Sequence, residues 1–328
     1  MRFLRQHIIA SLLTLCLLTA GGLSGFVGNA NAGRDHEPLP QTEASAWHSG
    51  DHSRVRLFRA GVNEDGQDMV GLIIDLEEGW HTYWRSPGRL GLPPTFNWEG
   101  SENLRGVTVR WPLPEYISFD DYETYGYEGR LVLPLEISRE NPDEPASLQL
   151  ALGYAVCESV CIPVLGFLAM NLPEGERAAR ARPEFTWTFE DAMSRVPTWD
   201  IEAAGIEISA ARLVRTAGTQ RALRISLSSQ TPFDDPHVIL EGPKDLRFGT
   251  PKLMLDSTGR HLEALISVRR REGEEAAIGH GFKITVTGGA MPVQHSLSVT
   301  MAGGVQGSEE MIPEQPLLPV VEPSETPD

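Results

Sequence analysis

Leu148, Leu150, Leu152, Tyr154 and Val156 alternate with small or polar residues, which predicts a half-buried strand ending on Cys157. A second apolar strand is expected from Val164 to Leu172, after Cys161 and Pro163. Upstream, residues 54–76 read as an antiparallel hairpin whose two strands flank Asn63-Glu64-Asp65-Gly66, and Leu131 to Ile137 reads as a further strand. Between them lie Gly79 to Gly88, dense in aromatics and turn residues, and an aromatic loop from Phe119 to Tyr127. Neither carries a helical period.

Glu184 to Val196 has the pattern of a short amphipathic helix that Pro197 ends. Beyond it, Ile206 to Arg215, Ala222 to Ser229, His261 to Arg269, Phe282 to Thr287 and Val293 to Thr300 read as short strands between turns. The expected fold is all-β: a first sandwich over residues 51–175, a linker with a short helix over 176–199, and a second β-sandwich over 200–302. Residues 33–50 are polar and aperiodic and read as a flexible leader. The acidic, proline-rich tail over 303–328 holds too little apolar surface to repay its ordering entropy and is expected to be disordered.

Arg2 and Arg5 precede an apolar run from Ile8 to Leu23, and Ala30-Asn31-Ala32 offers a small-x-small cleavage site, so residues 1–32 read as a signal peptide. Glycines at 21, 22 and 25 shorten the run below the ~20 residues that a bilayer span needs. Cys16 leaves with this peptide. Later stretches are too short to cross a membrane, and a periplasmic protein that does not span the membrane after cleavage is expected. Removing the two arginines of residues 1–32, which hold no acid, takes the formal charge from −17 to −19. Such acidity argues against nucleic acid as a partner, because binding it needs clustered cations. No Ser-His-Asp motif, phosphate-cradling glycine loop or paired-carboxylate motif supports hydrolase or nucleotide chemistry.

Two cysteines remain, and Cys157-Glu158-Ser159-Val160-Cys161 joins a rising strand to a falling one. A tight turn at a strand end can bring two cysteines within disulfide reach. Closing so short a loop removes little chain entropy, about 2 kcal/mol against nearly 5 for about 100 residues. A redox pair fits this spacing, and a structural staple, the default in an exported protein, also remains open. No Lys or Arg lies in the turn to favour a thiolate, and Glu158 disfavours one.

Four motifs occur in order: Gly79-Trp80-His81-Thr82-Tyr83-Trp84-Arg85, Tyr125-Gly126-Tyr127-Glu128, Leu131-Val132-Leu133-Pro134 and Val156-Cys157-Glu158-Ser159-Val160-Cys161-Ile162-Pro163. Together they resemble the DsbD amino-terminal domain family over roughly residues 50–175. The cysteine spacing is similar to the ScsB-like, copper-sensitivity branch, with three intervening residues where typical DsbD has five. The resemblance implies an immunoglobulin-like sandwich that takes electrons from a membrane-embedded thiol reductase of the DsbD, CcdA or ScsB kind and passes them to periplasmic thioredoxin-like proteins. Membrane and thioredoxin-like modules do not accompany the match here, so a freestanding relay is expected. Residues 200–302 resemble the family less clearly; extra β-domains of this kind accompany ScsB-like proteins.

The resemblance further implies catalytic roles for Cys161, as the partner-facing sulfur, and Cys157, as the resolving one. It implies a cap loop over them drawn from Phe119, Tyr122, Tyr125 and Tyr127, with His81 and Tyr83 nearby. Plain packing is the alternative role for each of these aromatics. No cofactor is expected. Two rival readings stay open: Cu(I) held by Cys157, Cys161 and His81, since paired thiolates suit that ion, and a non-catalytic interaction module with an inert disulfide. His48-Ser49-Gly50-Asp51-His52 also has ligand-like spacing but reads as solvated loop.

Overall fold

A computed structural model of the chain describes residues 43–88, 91–119, 122–174, 181–215, 221–243, 246–270 and 281–301. The expected signal peptide with Cys16, most of the expected leader and the tail lie outside the described residues. Within them the chain is an immunoglobulin-like all-β protein with several sheets.

Eleven described strands come before the helix: β1 (His48–Gly50), β2 (Ser53–Val62), β3 (Asp68–Leu76), β4 (His81–Gly88), β5 (Thr95–Asn97), β6 (Leu104–Val109), β7 (Glu115–Phe119), β8 (Tyr122–Glu128), β9 (Arg130–Arg139), β10 (Ala146–Cys157) and β11 (Cys161–Leu172). One sheet runs β1-β2-β3-β9-β6 and the other β11-β10-β4-β8-β7, with β5 added to β10. The alternation in β10 puts Leu148, Leu150, Leu152, Tyr154 and Val156 into the shared core, against Val55, Leu57, Leu72, Ile74, Leu133 and Trp84. The β2–β3 turn is set by Asn63, whose side-chain oxygen accepts the backbone N–H groups of Asp65 and Gln67 at 3.1 and 2.9 Å. Gly66 takes the left-handed conformation that this turn requires, with φ of 77°.

Two segments do more than their sequence implies. Residues 43–50, expected as part of a flexible leader, add to the edge of the first sheet: β1 pairs with β2, and the backbones of Ser45 and Leu57 are joined at 2.8 Å. The exposed backbone groups of β2 supply the partner that a polar composition does not reveal. Helix α1 (Pro183–Ser194), expected within a linker, packs Phe189 and Ala192 onto Phe58, Ala60, Ile73 and Val132. These last four point away from the sandwich core, so the first sheet is apolar on both faces and needs a cover.

The remaining strands are β12 (Ile206–Arg215), β13 (Arg221–Ser229), β14 (Val238–Glu241), β15 (Leu246–Phe248), β16 (Lys252–Leu255), β17 (His261–Arg270), β18 (Phe282–Val286), β19 (Val293–Leu297) and β20 (Thr300–Met301). A sheet ordered β15-β17-β13-β12-β20, with β16 on β17, faces a three-stranded sheet ordered β14-β18-β19. Leu213, Ile225, Leu262 and Ile266 meet Leu240, Ile284 and Val293 between them. Ile239 reaches instead into the first core, and Thr198 is bridged to Val293.

Candidate functional site

Strand β10 pairs with β11 in unbroken register from Ala146 opposite Leu172 to Cys157 opposite Cys161. Glu158, Ser159 and Val160 form the exposed turn between them, closed by the Glu158 N–H donating to the Val160 carbonyl at 3.2 Å. The two cysteines are therefore direct cross-strand neighbours, with Cα atoms 4.1 Å apart and their sulfurs joined in a disulfide. Their surroundings differ sharply. Cys157 is 1% exposed, whereas Cys161 opens the next strand in an exposed position.

Because side chains alternate along β10, Cys157 and Ala155 point away from the core occupied by Val156 and Tyr154. Tyr83 of β4 packs against them on that outer face, while its neighbour Trp84 points into the core. The Thr82 hydroxyl donates to the Ala155 carbonyl at 2.8 Å and fastens β4 beside β10. At the end of this junction, His81 is paired with Cys157.

The Tyr83 oxygen lies 3.2 Å from the Cys161 sulfur. A disulfide sulfur carries no hydrogen, so the hydroxyl is the donor. Burial pushes this hydroxyl above its ordinary pKa of 10.0, which keeps it protonated and able to donate. The His81 ring meets the Tyr83 ring edge-on, with centroids 5.4 Å apart. Burial lowers the His81 pKa, opposed by the carboxylate of Glu128, its cross-strand partner on β8. The neutral imidazole is favoured.

On its other side Tyr83 is bounded by Gly91, where an added Cβ would stand 2.7 Å from the ring and 2.7 Å from Pro87. Gly91 also has a positive φ of 127°, so both backbone and space demand glycine. Gly91 is a site neighbour that sequence reading missed: its glycine is visible, but its contact with Tyr83 is not.

The structure brings His81 and Tyr83 to the disulfide and sends Tyr125 and Tyr127 elsewhere. Both tyrosines pack with the core: Tyr125 stands edge-on to Trp84, and the Tyr127 hydroxyl donates to the Pro112 carbonyl at 2.7 Å. Burial raises the Tyr127 pKa far above its usual value, in keeping with a structural hydroxyl. The segment expected as an aromatic cap loop is mostly the β7–β8 hairpin, with Phe119 opposite Tyr122 at its tip. The side chains of those two residues, and all of Asp120 and Asp121, lie outside the described residues. The candidate Cu(I) set of Cys157, Cys161 and His81 stands together at the disulfide, and its two sulfurs offer thiolates only once that bond is reduced. Among the described residues, no cluster of three or more His, Cys, Asp or Glu side chains could hold a metal ion.

Residues 53–172 match the family model for the amino-terminal part of the thiol:disulfide interchange protein DsbD. Residues 195–302 match a family described only as a domain of unknown function. No curated protein matches the chain. Among solved structures, the N-terminal periplasmic domain of ScsB from Proteus mirabilis is similar, with 25% identity and a TM-score of 0.62. The likeness covers 78% of this chain and 98% of that domain, a share too large for one sandwich alone. The match to the family model points to thiol–disulfide exchange as the role. Residues 53–172, the segment that holds the disulfide, are thus similar to the DsbD amino-terminal family, and the fold to that of the ScsB periplasmic domain.

Proposed function

We infer that this chain is a periplasmic thiol–disulfide exchange protein that relays electrons between a membrane-embedded thiol reductase and periplasmic thioredoxin-like proteins. The unequal exposure of the two sulfurs carries the reading. A partner's thiolate can reach the exposed Cys161, while Cys157 is enclosed by Tyr83 and Ala155.

In the reductive half, a donor thiolate attacks the Cys161 sulfur, the Cys157–Cys161 bond breaks, and Cys157 leaves as a thiolate. The donor's second thiolate then attacks its own sulfur in the mixed disulfide, releasing Cys161. In the oxidative half, the Cys161 thiolate attacks an acceptor disulfide, and Cys157 resolves the mixed disulfide by attacking Cys161. Two electrons pass in each half. Tyr83 donates to Cys161, so its hydroxyl stabilises negative charge on that sulfur when it becomes a thiolate.

The test is the reduction potential of the disulfide, found by equilibration in glutathione or dithiothreitol buffers with thiol trapping. A value between about −270 and −120 mV supports the relay, and one well below about −300 mV marks a structural bond and removes it.

A further inference from the structure

Strand β11 departs from the inside-outside rule of its neighbours. Val164, Gly166, Leu168, Met170 and Leu172 point into the core, as expected. The alternate residues Cys161, Pro163, Leu165, Phe167 and Ala169 are all exposed, yet none is charged or carries a polar group other than sulfur. A strand with one solvated face ordinarily carries polar residues there. Val160, Leu165 and Phe167 are 62%, 55% and 62% exposed, in a chain whose formal charge is −17. Moreover, β11 is the edge strand of its sheet, with His48 of β1 standing edge-on to Phe167 at 6.3 Å. A contiguous apolar exposure of this kind marks a contact surface.

What covers it follows from the exchange chemistry. A partner must bring its own sulfur onto Cys161, so its surface is centred there. An interface of ordinary size removes about 800 Å² from each side, a disc of roughly 16 Å radius. At about 3.4 Å per residue, Leu165 stands about 14 Å and Phe167 about 20 Å along the strand from Cys161. Leu165 thus lies inside such a footprint and Phe167 about 4 Å beyond its rim, where a larger interface reaches. We propose that the outer face of β11, from Val160 to Phe167, is the docking surface for the redox partner, a protein whose reactive cysteine is ringed by apolar surface. The proposal rests on the exchange function above. A second copy of this chain is the poorer occupant, because two such acidic molecules repel one another.

The experiment compares the full chain with its Leu165→Ser/Phe167→Ser variant in two reactions, reduction by reduced thioredoxin and reduction by dithiothreitol. Dithiothreitol needs no docking surface. The expected result is a fall of about tenfold or more in the thioredoxin rate, with the dithiothreitol rate unchanged. An unchanged thioredoxin rate overturns the proposal, and so does an equal loss in both reactions, which would place the effect on the disulfide itself. A wild-type dimer in sedimentation velocity that the variant lacks assigns the stripe to a second copy and overturns it too. Failure of the wild-type disulfide to react with either reductant defeats the exchange function first, a result that the wild-type protein alone distinguishes.

Discussion

His81 on β4 is the cross-strand partner of Cys157 on β10, which places a buried imidazole directly beside the buried sulfur. Its pKa is held below 6.5 by burial, with Glu128 opposing. Below pH 6.5 the unfolded chain therefore takes up a proton that the folded chain resists. Stability that is fully present above pH 6.5 is lost as the pH falls towards the lower folded pKa. The limiting slope for one proton is about 1.4 kcal/mol per pH unit. In a His81→Gln variant, urea unfolding between pH 7 and pH 5 is expected to lose that slope. Equal slopes in the two proteins would mean that His81 does not titrate across folding.

Tyr83 touches Cys161 through its hydroxyl and Gly91 through its ring, so the two contacts can be altered separately. Tyr83→Phe keeps the ring and removes the donor. The Cys161 thiol of the reduced protein is expected to rise by about one pKa unit, roughly 1.4 kcal/mol, read from the pH dependence of iodoacetamide alkylation. Gly91→Ala leaves the hydroxyl in place but drives a methyl into the ring, and is expected to shift the alkylation profile in the same direction. If neither variant moves it, Tyr83 is packing alone.

Asp68 and Arg139 form a buried two-pronged ion pair, with contacts of 2.6 and 2.7 Å. Arg139 also donates to the carbonyls of Glu144 and Pro173, which ties the end of β11 to the first sheet. Asp68→Asn leaves the guanidinium buried without its counter-charge, and a loss of about 3–5 kcal/mol in urea unfolding is expected. Replacing both partners with apolar residues of similar volume is expected to recover much of that loss, since neither charge is then buried. A loss in the double variant as large as in the single one would contradict this account.

The parts of the fold that were legible in the sequence are those where one face is wet and the other dry. The alternation from Leu148 to Val156 located β10 and its end at Cys157, because each core residue is followed by one that the core excludes. Strand parity also puts Tyr125 and Tyr127 on a common face, but parity does not say which face is the core. Their placement depends on the Trp84 and Pro112 contacts, which come from distant parts of the chain. The role of α1 was hidden for a related reason: Phe58 and Ile73 look like ordinary strand residues until the opposite face of their sheet is known to be filled as well. Gly91 is recognisable as a turn residue, whereas its approach to Tyr83 is a property of the folded chain.

The two sandwiches are clamped by Arg85, two residues beyond Tyr83, whose guanidinium donates to both carboxylate oxygens of Glu241 at 2.9 and 2.7 Å. The same group donates to the Gln294 side chain at 3.2 Å and lies 4.4 Å from the centre of the Trp84 ring. Gln294 in turn donates to the Pro197 carbonyl at 3.0 Å, so strand β4, the segment before β12 and both β14 and β19 converge on one cation. The side chains of Arg85 and Glu241 are 18% and 14% exposed, which shields the pair from solvent screening more than a surface bridge is shielded. Glu241→Gln retains the shape and removes the charge, and should weaken the coupling by about 1–3 kcal/mol. Calorimetry is expected to show the wild type melting in one transition and the variant in two, with the chain more readily cut by protease between residues 195 and 206. One transition in both proteins, with equal protease resistance, would assign the coupling to the apolar contact of Ile239 with the first core instead.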